Sequence, residues 1–196
     1  MHTRERARLQ VVTGPMFAGK SEELLRRVRR ARIAGLSVEL VNHALDDRRG
    51  TGQVSSHSGL SIPSRTVADA ATLTEAMLGR ELDIVAIDEA QFFGPPLVEA
   101  VETLVADGIT VIVAGLCVTF DGRPFEPLPA LMATAEDVLK LTAVCAVCGA
   151  DAAFHQRLAP GEVADARVPS PEQVGGVESY QARCRRHFTG GALSTR

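Results

Sequence analysis

Apolar residues fall in short blocks along most of the chain, and the spacing within the blocks changes repeatedly. Leu9 to Thr13 is a compact block that predicts a short buried strand. Leu24, Leu25, Val28 and Ala31 recur at helical spacing, which predicts a helix over Glu22 to Ala34 that ends at Gly35. Leu36 to Val41 reads as a second strand. Asn42 to Pro63 is polar and rich in Gly and Ser, and reads as a long mobile loop. Ala68 to Leu78 suits a helix with Gly79 as its stop, and Ile84 to Ile87 is an apolar strand running into Asp88-Glu89. Pro95-Pro96 can open a helix whose buried face is Leu97, Val101, Leu104 and Val105. Ile109 to Ala114 and Val138 to Val144 complete the set of strands. Strands alternating with helices predict an α/β fold, a mainly parallel sheet with helices on both faces.

From Cys145 onward the pattern changes. A short strand is predicted over Ala152 to Leu158, followed by a polar loop punctuated by Pro160, Gly161, Pro169, Pro171, Gly175 and Gly176. Large apolar residues are too few here for an independent core, so this stretch needs a staple. The chain therefore divides into an α/β domain over 1–143 and a small module over 144–196.

Composition narrows the classes. The chain has 196 residues, 45% of them hydrophobic, and a net charge of −3. No apolar run approaches the ~20 residues that a membrane span needs. The charged start at Met1 to Arg6 carries no apolar signal segment, so the expectation is a cytoplasmic protein with no membrane partner. The net charge argues against a general nucleic-acid binder. Arg26, Arg27, Arg29, Arg30 and Arg32 form a basic run on the first helix, read as a solvated or inter-subunit face.

Gly14-Pro15-Met16-Phe17-Ala18-Gly19-Lys20-Ser21 matches G-x-x-x-x-G-K-[ST], between a predicted strand and a predicted helix. In that setting backbone N–H groups and a helix N-terminus face a polyphosphate. Lys20 would reach the β/γ-phosphates and Ser21 would ligate Mg²⁺. Asp88 follows four apolar residues, as a Walker B aspartate does, and would hold the same ion. Glu89 beside it could take a proton from a substrate hydroxyl. Its bland reading is a solvated turn residue.

Cys145-x-x-Cys148 and Cys184-x-x-His187 are two ligand pairs of knuckle spacing, together a tetrahedral zinc site with no open position. His155 is a lower-ranked alternative nitrogen ligand. A loop must be extruded between the pairs. Cys117 stands alone after a core strand and reads as a small buried hydrophobe.

These residues resemble the type II thymidine kinases of bacteria and animals. The resemblance runs from about Gln10 to His187 and rests on Gly14 to Ser21, Ile87-Asp-Glu-Ala-Gln-Phe-Phe93, Leu141-Thr-Ala-Val-Cys145, Val174-Gly-Gly176 with Tyr180, and the two knuckles. It implies a RecA-like P-loop NTPase sheet and a zinc-binding domain whose loop, about 159–180, closes over substrate. It implies transfer of a phosphoryl group from ATP to the 5′-hydroxyl of thymidine, with Glu89 as catalytic base. The ATP and Mg²⁺ set it implies is Gly14 to Ser21, Asp46, Arg48, Asp88 and Gln91. The nucleoside set is Met16, Phe92, Leu116, Phe120, Phe125, His155, Gln173, Val174, Gly175, Gly176 and Tyr180. Structural zinc on Cys145, Cys148, Cys184 and His187, and a homotetramer, are implied as well.

Three positions depart from the family pattern. Ala18 is a mild change that leaves the backbone cradle intact. Cys117 stands where Asp is usual, and His155 where Thr or Ser is usual near the base's methyl group. Imidazole there is expected to weaken the preference for thymidine over deoxyuridine. The competing functions are a P-loop ATPase with a nucleic-acid-binding zinc ribbon and a non-catalytic binding relative. The latter should have lost Lys20, Ser21, Asp88 or Glu89, and all four are present.

Overall fold

A computed structural model describes residues 7–45, 52–55, 61–158, 165–168, 176 and 178–190. In chain order the strands are β1 (Leu9–Thr13), β2 (Val38–His43), β3 (Gln53–Ser55), β4 (Ser61–Pro63), β5 (Arg65–Val67), β6 (Ile84–Ile87), β7 (Thr110–Gly115) and β8 (Asp137–Lys140). Four short strands follow: β9 (Ala143–Val144), β10 (Asp151–Ala152), β11 (Phe154–Arg157) and β12 (Tyr180–Arg183). The helices are α1 (Lys20–Ile33), α2 (Ala70–Met77), α3 (Leu97–Ala106) and α4 (Leu128–Thr134), with a 3₁₀ turn over Ala90–Phe93.

The main sheet has six strands in the order β5-β2-β6-β7-β1-β8, and every pairing is parallel. Its central strands β1, β6 and β7 are buried on both faces, because helices cover both. Val11, Val85, Ile87, Val111 and Val113 pack on α2, α3 and α4, and Val12, Ile84, Ala86, Ile112 and Ala114 pack on α1. The face of α1 expected from its spacing, Leu24, Leu25, Val28 and Ala31, is the buried one.

The segment expected as one long loop contains strands. Strand β2 continues through Asn42 and His43, and β3 and β4 pair as an antiparallel hairpin. Val54 and Ile62 of that hairpin join the core beside α1. Asn42 reads as a loop residue, yet it is buried; its Oδ1 accepts from the hydroxyls of Ser64 (3.0 Å) and Thr66 (3.1 Å), which satisfies it inside.

Helix α2 begins later than expected, where the Asp69 side chain accepts from the N–H of Thr72 at 2.7 Å. The block Val138 to Val144 is two strands. The chain leaves the sheet at Leu141, whose N–H donates to the Thr13 carbonyl (2.7 Å), and β9 pairs instead with β10. Strands β11 and β12 form a further antiparallel pair.

The basic run on α1 is not uniformly solvated. Arg27 donates to Glu23, to Gln10 on β1 and to Asp137 on β8, the last two at 2.7 Å. The neighbouring Arg26 and Arg27 guanidinium groups hold the Glu23 carboxyl down to about 2.

Candidate active site

Strands β1, β2, β6, β7 and β8 all deliver their carboxyl ends to one edge of the sheet, the edge where α/β sheets bind ligands. The loop from Gly14 to Gly19 follows β1 there. Gly14 adopts φ +151°, and a Cβ at that position would lie 2.5 Å from the Leu141 carbonyl oxygen. Only glycine lets the two backbones approach so closely. Gly19 (φ +82°) precedes the first turn of α1, and Lys20 Nζ donates to the Pro15 carbonyl at 2.8 Å, within the loop. Phe17 is held at φ +66°, unusual for a residue with a side chain.

The second element of the site follows β6. Asp88 is buried, its N–H donates to the Val41 carbonyl (2.9 Å), and its Oδ1 accepts from the N–H of Glu89 (3.0 Å). Glu89 is left-handed, at φ +48° and ψ +44°. That turn is what lets a residue adjacent to Asp88 leave the strand alternation. The Gln91 Nε2 donates to Glu89 Oε2 at 2.5 Å, and Gln91 Oε1 accepts from the N–H of Leu116 at 3.0 Å. Gln91 was expected among the ATP and Mg²⁺ residues; its amide is engaged by protein groups at both ends.

The third element surrounds the crevice with rings. Phe92 is half-buried and lies 6.1 Å from His43 at the end of β2. Leu116 and Phe120 follow β7, and Phe125 is buried with its N–H on the Cys117 carbonyl (3.1 Å). Cys117 is only half-buried, packed against the edge of the core. Tyr180 is buried, 6.5 Å from Phe120 and 5.8 Å from His155 between ring centroids. Met16 is half-buried in the phosphate loop.

His155 is 2% exposed, and its Nδ1 has no hydrogen-bond partner among the described residues. Burial pushes its pKa down to about 3, and Lys20 adds to that while Glu89 opposes it. The ring is therefore neutral near pH 7 and within the electrostatic reach of both residues. It pairs across the β11–β12 ladder with Ala182, so the two share a face. Ala182 belongs to the small core of Ala143, Cys145, Ala152 and Cys184, and Phe17 and Ala18 of the phosphate loop pack against that core.

Cys145, Cys148, Cys184 and His187 gather their ligand atoms within 4.8 Å of one another. Two sulfurs each about 2.3 Å from one tetrahedral zinc ion would be about 3.8 Å apart. The Cys148 and Cys184 sulfurs are 3.8 Å apart, and His187 Nδ1 lies 3.3 Å from Cys184 and 3.8 Å from Cys145. Hydrogen bonds from the backbone of Cys184, and then of Val147 and Cys148, bring the Cys145 thiol down to about 5, favouring the thiolate a metal needs. The donor set fits zinc. His155 takes no part in it.

The family model for thymidine kinase matches residues 7–188. The chain belongs to the thymidine kinase family. It is 46% identical over 181 residues to the thymidine kinase of Halobacterium salinarum, covering 90% of this chain and 91% of that one. It is also 46% identical over 189 residues to the thymidine kinase of Deinococcus deserti, covering 91% and 93%. Among solved structures, the genome packaging NTPase B204 of Sulfolobus turreted icosahedral virus 2 matches with a TM-score of 0.47 and 16% identity, over 71% of this chain and 76% of that one.

Of the positions the thymidine kinase resemblance marks, the phosphate loop, Asp88, Glu89, Gln91, Phe92, Leu116, Phe120, His155 and Tyr180 lie along or over this one edge. Gly176 is described, and its carbonyl accepts from the N–H groups of Ser179 and Tyr180. Asp46, Arg48, Gln173, Val174 and Gly175 lie outside the described residues.

Three contributors were not anticipated from the sequence. Gly115 makes room for Gln91, since a Cβ there would sit 2.8 Å from Gln91 Oε1. Arg157 lies over the Phe120 ring, 5.9 Å from its centroid. His43 packs edge-on to Phe93 at 4.7 Å and accepts from the N–H of Leu45. Only His43 had a usable signal, its place just beyond an apolar strand.

Proposed function

We propose that this chain is an ATP-dependent thymidine kinase, forming the 5′-monophosphate. What supports the reading is family membership over nearly the whole chain, together with the convergence of Lys20, Asp88 and Glu89 at one edge of the sheet. Phosphoryl transfer asks the protein for positioning and charge stabilisation more than for covalent chemistry. The loop Gly14 to Gly19 presents backbone N–H groups to the phosphates of ATP, and Lys20 exchanges its contact with Pro15 for a phosphate oxygen. Asp46 and Arg48 belong to this phosphate set by resemblance. Ser21 and Asp88 offer hard oxygen ligands, the donor type Mg²⁺ prefers, and would hold that ion; when bound, it neutralises phosphate charge.

Glu89 is the general base. Its carboxylate accepts the proton of the 5′-hydroxyl as that oxygen bonds to the γ-phosphorus and the bond to the β-phosphate oxygen breaks. Phe92, Leu116, Phe120, His155 and Tyr180 form the walls for the base. Gln173, Val174, Gly175 and Gly176 belong to this nucleoside set by resemblance. Zinc on Cys145, Cys148, Cys184 and His187 is structural, because four protein ligands leave no position for substrate.

Among the described residues no helix is long and apolar enough to cross a membrane. The cytoplasmic location and the homotetramer are part of the same reading. Light scattering of the purified protein measures the assembly.

The test is a panel of thymidine, deoxyuridine, deoxycytidine and purine deoxynucleosides with Mg-ATP, with single-stranded DNA in a parallel arm. Thymidine-dependent formation of ADP and thymidine monophosphate is the expected result. ATP turnover stimulated by DNA and indifferent to nucleosides would replace this reading with a nucleic-acid-dependent ATPase.

A further inference from the structure

Gln91 is 2% exposed, and its side chain bridges two groups that come from different strands. One end donates to the Glu89 carboxylate just past β6, and the other accepts from the N–H of Leu116 just past β7. The bridge is built into its surroundings. Gly115 lacks the Cβ that would collide with Gln91 Oε1 at 2.8 Å, and that would also meet the Leu128 side chain at 3.0 Å. Glu89 itself sits in a left-handed turn, with a long side chain whose own rotamers would otherwise spread the carboxylate over several positions. A buried amide anchored at its far end to a main-chain N–H selects one of those positions.

We propose that Gln91 is the positioning residue for Glu89, tying its carboxylate to the start of the Leu116–Phe120 segment. The proposal rests on the reading of Glu89 as general base. Gln91 acts through Glu89, since protein groups engage both ends of its amide. An ordered segment at Leu116 then means an ordered base, so nucleoside contacts made by that segment are transmitted to the reacting carboxylate through one side chain.

The experiment is a double-mutant cycle in the full-length protein with Mg-ATP and thymidine, read as single-turnover rate, kcat and both KM values. Gln91→Met keeps the length of the side chain and removes both hydrogen bonds. Misplacing a reacting group by about 1 Å can cost about 10²-fold. Gln91→Met should therefore lower the single-turnover rate 10- to 10²-fold, with KM for ATP and thymidine changed less than about 3-fold. In a Glu89→Gln background the same change should cost almost nothing further, since groups that act as a unit are non-additive.

Gly115→Ala pushes on the same amide from the opposite side and should reproduce the split between kcat and KM, which keeps the test open if Gln91→Met does not fold. An equal loss from Gln91→Met in both backgrounds, or a raised KM for ATP with unchanged kcat, overturns the proposal and leaves Glu89 as base. A near-normal single-turnover rate for Glu89→Gln alone overturns both.

Discussion

The imidazole of His155 stands edge-on to the ring of Tyr180, with centroids 5.8 Å apart, and is sealed from solvent. Its burial gives a pH dependence with a definite sign. The pKa falls from 6.5 to about 3 on folding, so between those values the unfolded chain binds a proton that the native chain refuses. Unfolding free energy therefore rises with pH across this window, and the contribution is complete above about 6.5. His155→Gln should flatten the stability profile from pH 6.5 downward relative to wild type. Denaturant titrations of both proteins at pH 7.5 and pH 5 measure the difference. Parallel profiles would mean that the ring is protonated where it sits.

The same residue bears on specificity. On the proposed reading position 155 borders the methyl group of thymine, where imidazole is bulkier than Thr or Ser. One methyl group is worth only about 10–200-fold in discrimination. His155→Thr should raise the ratio of kcat/KM for thymidine over deoxyuridine. An unchanged or lowered ratio would mean that the imidazole does not set the space at the base's methyl group.

Glu89→Gln keeps shape and polarity while removing the base. General-base catalysis is worth about 10²–10⁴-fold, so kcat should drop within that range while ATP affinity holds. Single-turnover phosphorylation is the measurement, because it isolates the chemical step. A rate close to wild type would exclude Glu89 from proton transfer.

Metal analysis should find about one zinc per chain, and Cys184→Ser should abolish it. Phe17 and Ala18 pack on the core that contains Cys145 and Cys184, so the same substitution should also weaken ATP binding. Calorimetry with a non-hydrolysable ATP analogue reads that second effect. Normal analogue affinity in the zinc-free variant would show that the phosphate loop keeps its shape unaided.

Much of this fold was legible from local pattern. The boundaries of β1 and β6 and the buried face of α1 follow from apolar spacing, because these elements are covered by the core and little else decides them. The hairpin β3–β4, the edge strand β5 and strand β12 were not legible. Each is three or four residues long, too short to show a period, and β5 and β12 are held by strands remote in sequence, β2 and β11. Helix α4 was missed, its seven residues carrying only two buried apolar side chains. At the site, Lys20, Asp88 and Glu89 announce themselves by motif. The Leu116 N–H that anchors Gln91 does not, because it is reached only when β6 and β7 lie side by side.

Phe17 and Ala18 are at once part of the phosphate cradle and part of the wall of the cysteine module. One consequence concerns the order of assembly. The cradle precedes its supporting wall in the sequence, so a chain emerging from the ribosome presents the phosphate loop before the cysteine module that packs on it has been made. If the zinc-free variant binds the ATP analogue weakly, as expected above, zinc supply sets when each new molecule can hold ATP.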